Sequence, residues 1–310
     1  MTQPALRLLV IGASGFLGRH VCRRAEAAGA VVVTAGRAGR PGAPAYHQID
    51  LAAADPARVA EVITSAAPDA VANCAGATTG GPDTLAPVNV TGTYALVAGM
   101  LLVGTRARLL HLGSAAEYGL SEPGTAVDEA TPPRPVAPYG VTKLAGTRLV
   151  ELGRAAGLDA VVLRVFNPVG SGAPGTGLPG RLAAELSRAL ADGGDVRLGD
   201  LDAVRDFVDA RDVAAAVLAA AVAPQLPHPV LNIGSGIGVP VATLVKELVA
   251  ISGYEGTVHS GAEGSARSLG KSWQQADITR ARLDLDWRPR HDLAASLTDL
   301  WEATRDQAGI

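Results

Sequence analysis

Short, nearly unbroken apolar runs alternate with longer amphipathic stretches through the first half of the chain. Runs at 6–11, 31–34, 46–49, 70–73, 108–112 and 160–165 read as strands, because segments this short and this continuously apolar suit a strand buried on both faces. Helical periodicity falls near 16–28, 56–66, 84–104 and 140–157. Alternation of this kind predicts an α/β fold with a parallel sheet covered by helices on both sides. Past Gly180 the pattern changes to a helix over 181–191, a short strand at 195–198, a helix over 211–222, a further sheet strand at 230–233, and helices over 240–252 and 291–305. Pro- and Gly-rich stretches at 121–138 and 167–180 are longer than simple connectors need, which marks them as functional loops.

Composition narrows the function more than the fold. The 310 residues, 48% apolar and 18% charged, suit one large folded domain or two coupled ones. With net charge −3 and no face concentrating Lys or Arg, neither nucleic acid nor an anionic membrane is expected as a partner. Cys22 and Cys74 lack Cys-x-x-Cys spacing, which predicts free thiols in a reducing, cytoplasmic setting. The six histidines are scattered without ligand spacing, so no metal is expected. The N-terminal apolar run at 8–11 is too short for a signal core or a membrane span.

The first strand runs into Gly12-Ala13-Ser14-Gly15-Phe16-Leu17-Gly18 and then a helix. Gly12 permits the tight turn, Gly15 lets the backbone approach a pyrophosphate, and Gly18 lets helix pack on strand. The helix N-terminus supplies N–H groups and positive dipole to the phosphates. A Rossmann cofactor site is therefore expected at Gly12, Ser14, Gly15, Phe16, Leu17 and Gly18. The second strand ends Thr34-Ala35-Gly36-Arg37, with glycine where an NAD enzyme places a carboxylate for the ribose hydroxyls. A guanidinium there pairs with a 2′-phosphate, so Gly36 and Arg37 point to NADP(H) ahead of NAD(H), against the alternative of a solvated loop arginine. Asp50, ending the third strand, is expected at the adenine edge or as a turn cap.

Tyr139 and Lys143 lie four residues apart on one helix face. A free phenol titrates near ~10, and a neighbouring ammonium favours the phenolate, which makes Tyr139 a usable proton shuttle. Ser114 sits at the carboxyl end of the fifth strand, the edge where such sheets bind ligands, and its hydroxyl can donate to a carbonyl oxygen. Ser114, Tyr139 and Lys143 form the expected catalytic set.

Taken with Asn73-Cys74-Ala75-Gly76, Asn89-Val90-Thr91-Gly92-Thr93, Pro138-Tyr139-Gly140-Val141-Thr142-Lys143 and Leu163-Arg164-Val165-Phe166-Asn167-Pro168, these motifs resemble the extended short-chain dehydrogenase/reductases that modify nucleotide sugars. The similarity runs from about residue 6 to 302, and the 25-residue gap from Ser114 to Tyr139 matches the 4-epimerases of that family. The resemblance implies a doubly wound Rossmann domain over 1–166, rejoined by about 206–238, and a smaller interleaved substrate lobe from 167–205 and 239–310. It implies further cofactor contacts at Leu51, Cys74, Ala75, Gly76, Asn89 and Phe166, and a nucleoside-diphosphate sugar held by Ser114, Ala115, Ala116, Asn167, Arg181, Arg205 and Arg267. A homodimer is also implied.

Where the family's dehydratases carry an Asp-Glu pair, and its C3/C5 epimerising reductases a cysteine, this chain has Ala115 and Ala116, which can neither take nor give a proton. Glu117, the next residue, is expected to face away from Ala116 by strand alternation. The leading expectation is NADPH-dependent reduction of a nucleoside-diphosphate 4-keto-6-deoxyhexose. The alternatives are a 4-epimerase with retained cofactor and a non-catalytic dinucleotide sensor. Segments 232–236 and 285–289 also fit the family and are expected to serve the fold, while Trp273 and Trp301 are expected in packing rather than against a base.

Overall fold

The computed structural model describes residues 5–38, 45–199, 201–261 and 272–308. Its first half gives β1 (Arg7–Ile11), α1 (Phe16–Ala27), β2 (Val31–Gly36), β3 (Tyr46–Gln48), α2 (Pro56–Ala66), β4 (Ala70–Asn73), α3 (Pro82–Ala86), α4 (Gly92–Leu102), β5 (Arg108–Ser114), α5 (Pro138–Ala155) and β6 (Ala160–Val165). Beyond β6 come β7 (Asn167–Val169), α6 (Leu178–Asp192), β8 (Val196–Arg197), β9 (Val204–Asp209), α7 (Ala210–Val222), β10 (Val230–Ile233) and β11 (Gly238–Pro240). The chain closes with α8 (Val241–Ser252), β12 (Val258–His259), β13 (Trp273–Gln274), α9 (Thr279–Leu285) and α10 (Leu293–Ala308).

Seven strands form one parallel sheet in the order β10-β6-β5-β4-β1-β2-β3. Alternation along each strand feeds two apolar layers. Leu8 and Val10 of β1 face a cluster with Val21 and Cys22 of α1 and Val213 and Val217 of α7. Leu9 and Ile11 face the opposite cluster, with Val59 and Ile63 of α2, Leu96 and Met100 of α4 and Val150 of α5. Each such side chain contributes roughly 1.5–3 kcal/mol by leaving water. This is the doubly wound Rossmann arrangement, and its parallel strands bring all their carboxyl ends to one edge.

A second sheet is built around β9, flanked in parallel by β7 and β13 and antiparallel by β11. It sits over a third apolar cluster, from α6, α8 and α10. The strand over 204–209 thus belongs to the small lobe, and the chain rejoins the large sheet only with α7 at Ala210, rather than near 206. The helix expected over 84–104 starts at Pro82 and is interrupted by a π-turn, Pro87–Thr91. The 21-residue segment 82–102 is apolar and long enough to cross a membrane, but half of its most apolar stretch is buried in this fold. Trp301 is buried in the third cluster, and the 232–236 and 285–289 segments serve packing. Asn232 bonds Tyr118, Val127 and Asp277, and Trp287 donates to the Asp212 carbonyl at 2.9 Å.

Candidate active site

The turn after β1 is a cradle that side chains would fill. Gly12 has φ +79°, and a Cβ there would stand 2.7 Å from the Ala75 nitrogen. A Cβ on Gly18 would meet the Gly12 carbonyl oxygen at 2.2 Å, so α1 rests directly on the turn. Gly15 caps α1 without a side-chain bond, and no acidic residue occupies the first turn. Those N–H groups therefore stay available for an anion, which is what a pyrophosphate needs. Ser14 is exposed beside them. Gly15, Phe16 and Leu17 line one wall of a cleft of about 480 Å³, and Cys74, Ala75 and Gly76 line it as well. The residues present fit a dinucleotide. The Gly12 N–H donates to the Ala35 carbonyl at 2.9 Å, which sets the turn beside the end of β2, where Gly36 is half-buried and Arg37 exposed.

Four further expected cofactor residues make contacts within the protein itself. Asp50 caps its own turn, accepting from the Ala52 N–H at 3.1 Å. The Leu51 side chain is buried in the core, packed where a Cβ on Gly92 would meet it at 2.9 Å. Phe166 is fully buried with Ala115, Tyr118, Val127 and Ala276, so its ring is withdrawn from the cleft. Asn89, buried in the π-turn, is a strut. Its side chain bonds the Ala77 N–H and carbonyl, both at 2.9 Å, and donates to Thr142 Oγ1 at 3.0 Å. It ties the loop after β4 to the helix that carries the candidate chemistry.

That helix, α5, presents Tyr139 and Lys143 to the cleft beside Ser114. Lys143 is buried, and its Nζ donates to the Leu112 carbonyl at 2.5 Å. Burial pushes its pKa below the usual lysine value, with Glu117 and Cys74 acting in the opposite direction. Beneath it, the neutral His111 ring accepts from Asn73 Nδ2 at 3.1 Å, and burial holds its pKa well below the ordinary value. After Ser114 the strand does not continue. Residues 115–117 form a 3₁₀ turn, so the alternation expected for Glu117 does not apply. Glu117 is nevertheless outside the cleft, fully buried and bonded to Arg164.

A second lobe of about 230 Å³ opens on Ser114, Ala115, Ala116, Tyr139, Asn167 and Arg205. Asn167 donates to the Asp206 carbonyl at 2.8 Å and to Gln274 Oε1 at 3.1 Å, and Gln274 in turn donates to the Ala115 carbonyl at 3.1 Å. Arg205, half-buried, is held by the Val204 and Ser272 carbonyls and by Ser272 Oγ at 2.7 Å. Among the described residues no carboxylate forms an ion pair with it, which leaves its charge available to an anion. Its neighbour Asp206 points the other way, accepting from Ser235, Gly236 and Ala276. Arg181 lines the larger lobe, while Arg267 lies outside the described residues. Trp273 and Gln274 line the smaller lobe. Nothing in their local sequence marks them, because β13 is two residues long and is placed by its pairing with β9.

Residues 8–234 match the model of the NAD dependent epimerase/dehydratase family. The chain is 38% identical to the dTDP-6-deoxy-L-talose 4-dehydrogenase (NAD(P)(+)) of Kitasatospora kifunensis, covering 97% of this chain and 96% of that one. It is 28% identical to the GDP-6-deoxy-D-mannose reductase of Pseudomonas aeruginosa, with 98% of each chain covered. Among solved structures, the UDP-glucose-4-epimerase of Stenotrophomonas maltophila, with bound NAD and formylated UDP-arabinopyranose, superposes with a TM-score of 0.86. That match has 26% identity and covers 98% of this chain and 99% of that one.

Proposed function

Because the chain belongs to the NAD-dependent epimerase/dehydratase family, as a nucleotide-sugar-modifying, NAD(P)-dependent oxidoreductase, we propose that it is an NADPH-dependent 4-ketoreductase of a nucleoside-diphosphate 4-keto-6-deoxyhexose. The observation that carries this reading is the junction of the two lobes. There Ser114, Tyr139 and Arg205 share one space, and only methyl groups, Ala115 and Ala116, stand where further acid/base chemistry would need carboxylates or a thiol. When bound, the nicotinamide supplies a hydride. Ser114 donates a hydrogen bond to the keto oxygen, Tyr139 delivers the proton to that oxygen, and the Lys143 charge stabilises the phenolate left behind. Arg205 pairs with the diphosphate, and Arg267 is proposed as its second clamp. Arg37 favours NADPH, and the relative named for 6-deoxy-talose and NAD(P)+ supports the sugar class and a nicotinamide cofactor of either kind.

Exposed apolar residues on α4 and α5, Tyr94, Leu101, Leu102, Val141 and Leu152, support a homodimer, and the free thiol of Cys74 supports a cytoplasmic setting. The test is consumption of NADPH with dTDP- and GDP-4-keto-6-deoxyhexoses, expected at one NADPH per sugar reduced. A 4-epimerase is the second reading, favoured by the Phe166–Gly170 run and the bound-NAD epimerase of similar fold. Interconversion of a UDP-hexose pair without net NADPH consumption would establish it instead.

A further inference from the structure

Directly below Ser114 lies an ion pair with almost no solvent contact. Glu117 is fully buried and Arg164 is 3% exposed, and Arg164 Nε donates to Glu117 Oε2 at 2.8 Å. The same oxygen accepts from Thr147 Oγ1 of α5 at 2.8 Å. The other, Oε1, accepts from the Ser114 N–H at 2.8 Å. Space for the carboxylate is built in, since a Cβ on Gly113 would stand 2.8 Å from Oε1. Arg164 is itself held on its far side by the Tyr118 ring, 4.5 Å from the guanidinium carbon, and the Tyr118 hydroxyl donates to Asn232 at 2.7 Å.

The turn closed by Glu117 has a consequence for the serine hydroxyl. With the Ser114 N–H anchored on the carboxylate, Ser114 Oγ accepts from the Ala116 N–H at 3.2 Å. One lone pair is thereby engaged within the turn, and the hydroxyl hydrogen is left to donate elsewhere. The same carboxylate acts on Lys143, whose ammonium is buried. The groups facing that ammonium are the Leu112 carbonyl and neutral His111 from β5, the Cys74 thiol at the end of β4, Tyr139 on its own helix, and Glu117 from the turn. Of these, Glu117 alone is an anion at neutral pH.

We propose that the Glu117–Arg164 pair is the positioning device of this active site, with Glu117 fixing the direction of the Ser114 hydroxyl through the turn it closes. The proposal rests on the Ser114–Tyr139–Lys143 reading above. A pair that served packing alone could be exchanged for apolar residues of similar volume without kinetic consequence.

Two variants separate these roles. Glu117→Gln keeps the shape and one acceptor but removes the charge. Glu117→Val with Arg164→Met removes both charges, which keeps a folded protein available should the single change strand the arginine. For either, kcat for reduction is expected to fall by about 10–100-fold, with KM and NADPH affinity within about threefold. In Glu117→Gln, loss of the anion lowers the pKa of Lys143 with Arg164 left in place, so the alkaline break in kcat should move to lower pH, whereas the double variant removes no net charge and should leave the break where it is. Wild-type kcat in either folded variant, or a wild-type pH profile in Glu117→Gln, overturns the proposal. Tyr139→Phe, run alongside, distinguishes the two failures: if it retains full turnover, the catalytic reading itself falls, whereas if it is inactive while the Glu117 variants are normal, only the positioning role falls.

Discussion

Lys143→Met should make the protein more stable and nearly inactive. The buried cluster around Lys143 contains one anion, Glu117, and two cations, Arg164 and Lys143, and so carries a net positive charge in a site with almost no water. Burial pushes the lysine pKa below its usual value, and the sign follows from linkage. A group with a depressed folded pKa stabilises above its unfolded pKa and loses that contribution as pH falls through the folded value. At neutral pH, with the lysine charged, the protein is therefore in the less stable regime. Methionine has nearly the same length and leaves Glu117 and Arg164 as a neutral pair. Against this, one charge-assisted hydrogen bond to the Leu112 carbonyl is lost, worth about 1.5–3 kcal/mol. The relieved desolvation is several kcal/mol per buried ion, so the net gain is about 1–3 kcal/mol.

For a chain of this size that is a rise in Tm of roughly 1–5 °C without cofactor. Turnover should fall by about 10²–10⁴-fold, because the phenolate loses its neighbouring charge. The assays are a thermal melt of the cofactor-free protein and single-turnover oxidation of NADPH. A Tm below wild type would show that the ammonium is a net contributor to folding, and retained turnover would remove Lys143 from the chemistry.

Four further outcomes are expected. Arg37→Ala should weaken NADPH by about tenfold while leaving NADH unchanged, the low end for a charge-assisted contact because the side chain is exposed; equal wild-type affinities measured by titration would end the NADP assignment. Arg205→Ala should raise KM for the nucleotide sugar by about tenfold or more, with kcat much less affected, and an unchanged KM would place the diphosphate elsewhere. His20 and His111 are buried with pKa values below the ordinary 6.5, so each takes up a proton less readily in the folded protein than in the unfolded chain. Stability should thus fall as pH drops below about 6.5, by up to ~1.4 kcal/mol per histidine per pH unit, and flat urea midpoints between pH 6.5 and 5 would contradict it. In heavy water no solvent deuterium should enter C3 or C5 of the sugar, since Ala115 and Ala116 cannot exchange protons there; incorporation seen by mass spectrometry would require an acid/base group elsewhere.

The large sheet was legible because its strands are buried on both faces and their apolar runs are continuous, as in 70–73 and 160–165. The small sheet was not. β7, β11 and β13 are two or three residues long, too short for any periodicity, and each exists through its register with β9. The phosphate turn was legible because only glycine suits its close contacts at Gly12 and Gly18. Glu117 lies outside the cleft as expected, but a turn rather than strand alternation puts it there. Ser114-Ala115-Ala116-Glu117 has the Ser-x-x-Glu spacing of a capping box, which ends a strand in a turn, yet it follows so directly on β5 that alternation looked like the governing rule.

The residues of the recognised motifs divide into those that face the cleft and those that hold them there, and spacing does not distinguish the two. Asn73-Cys74-Ala75-Gly76 shows the division within four residues: Cys74, Ala75 and Gly76 line the cleft, while Asn73 turns inward to His111 and accepts from the Ala75 N–H at 3.2 Å. Arg164, Phe166 and Asn167 repeat it along one strand end, with Arg164 under Ser114, Phe166 in the core, and Asn167 at the cleft wall. Both kinds must keep their identity, one for contact with ligand and the other because a buried polar group without its partner costs about 1–3 kcal/mol. A motif therefore locates the site to within a few residues. Whether a given member touches the substrate depends on where its side chain finds its hydrogen bonds. For Asn89 and Glu117 those bonds lie inside the protein, to Ala77 and Thr142 for the one and to Ser114, Thr147 and Arg164 for the other.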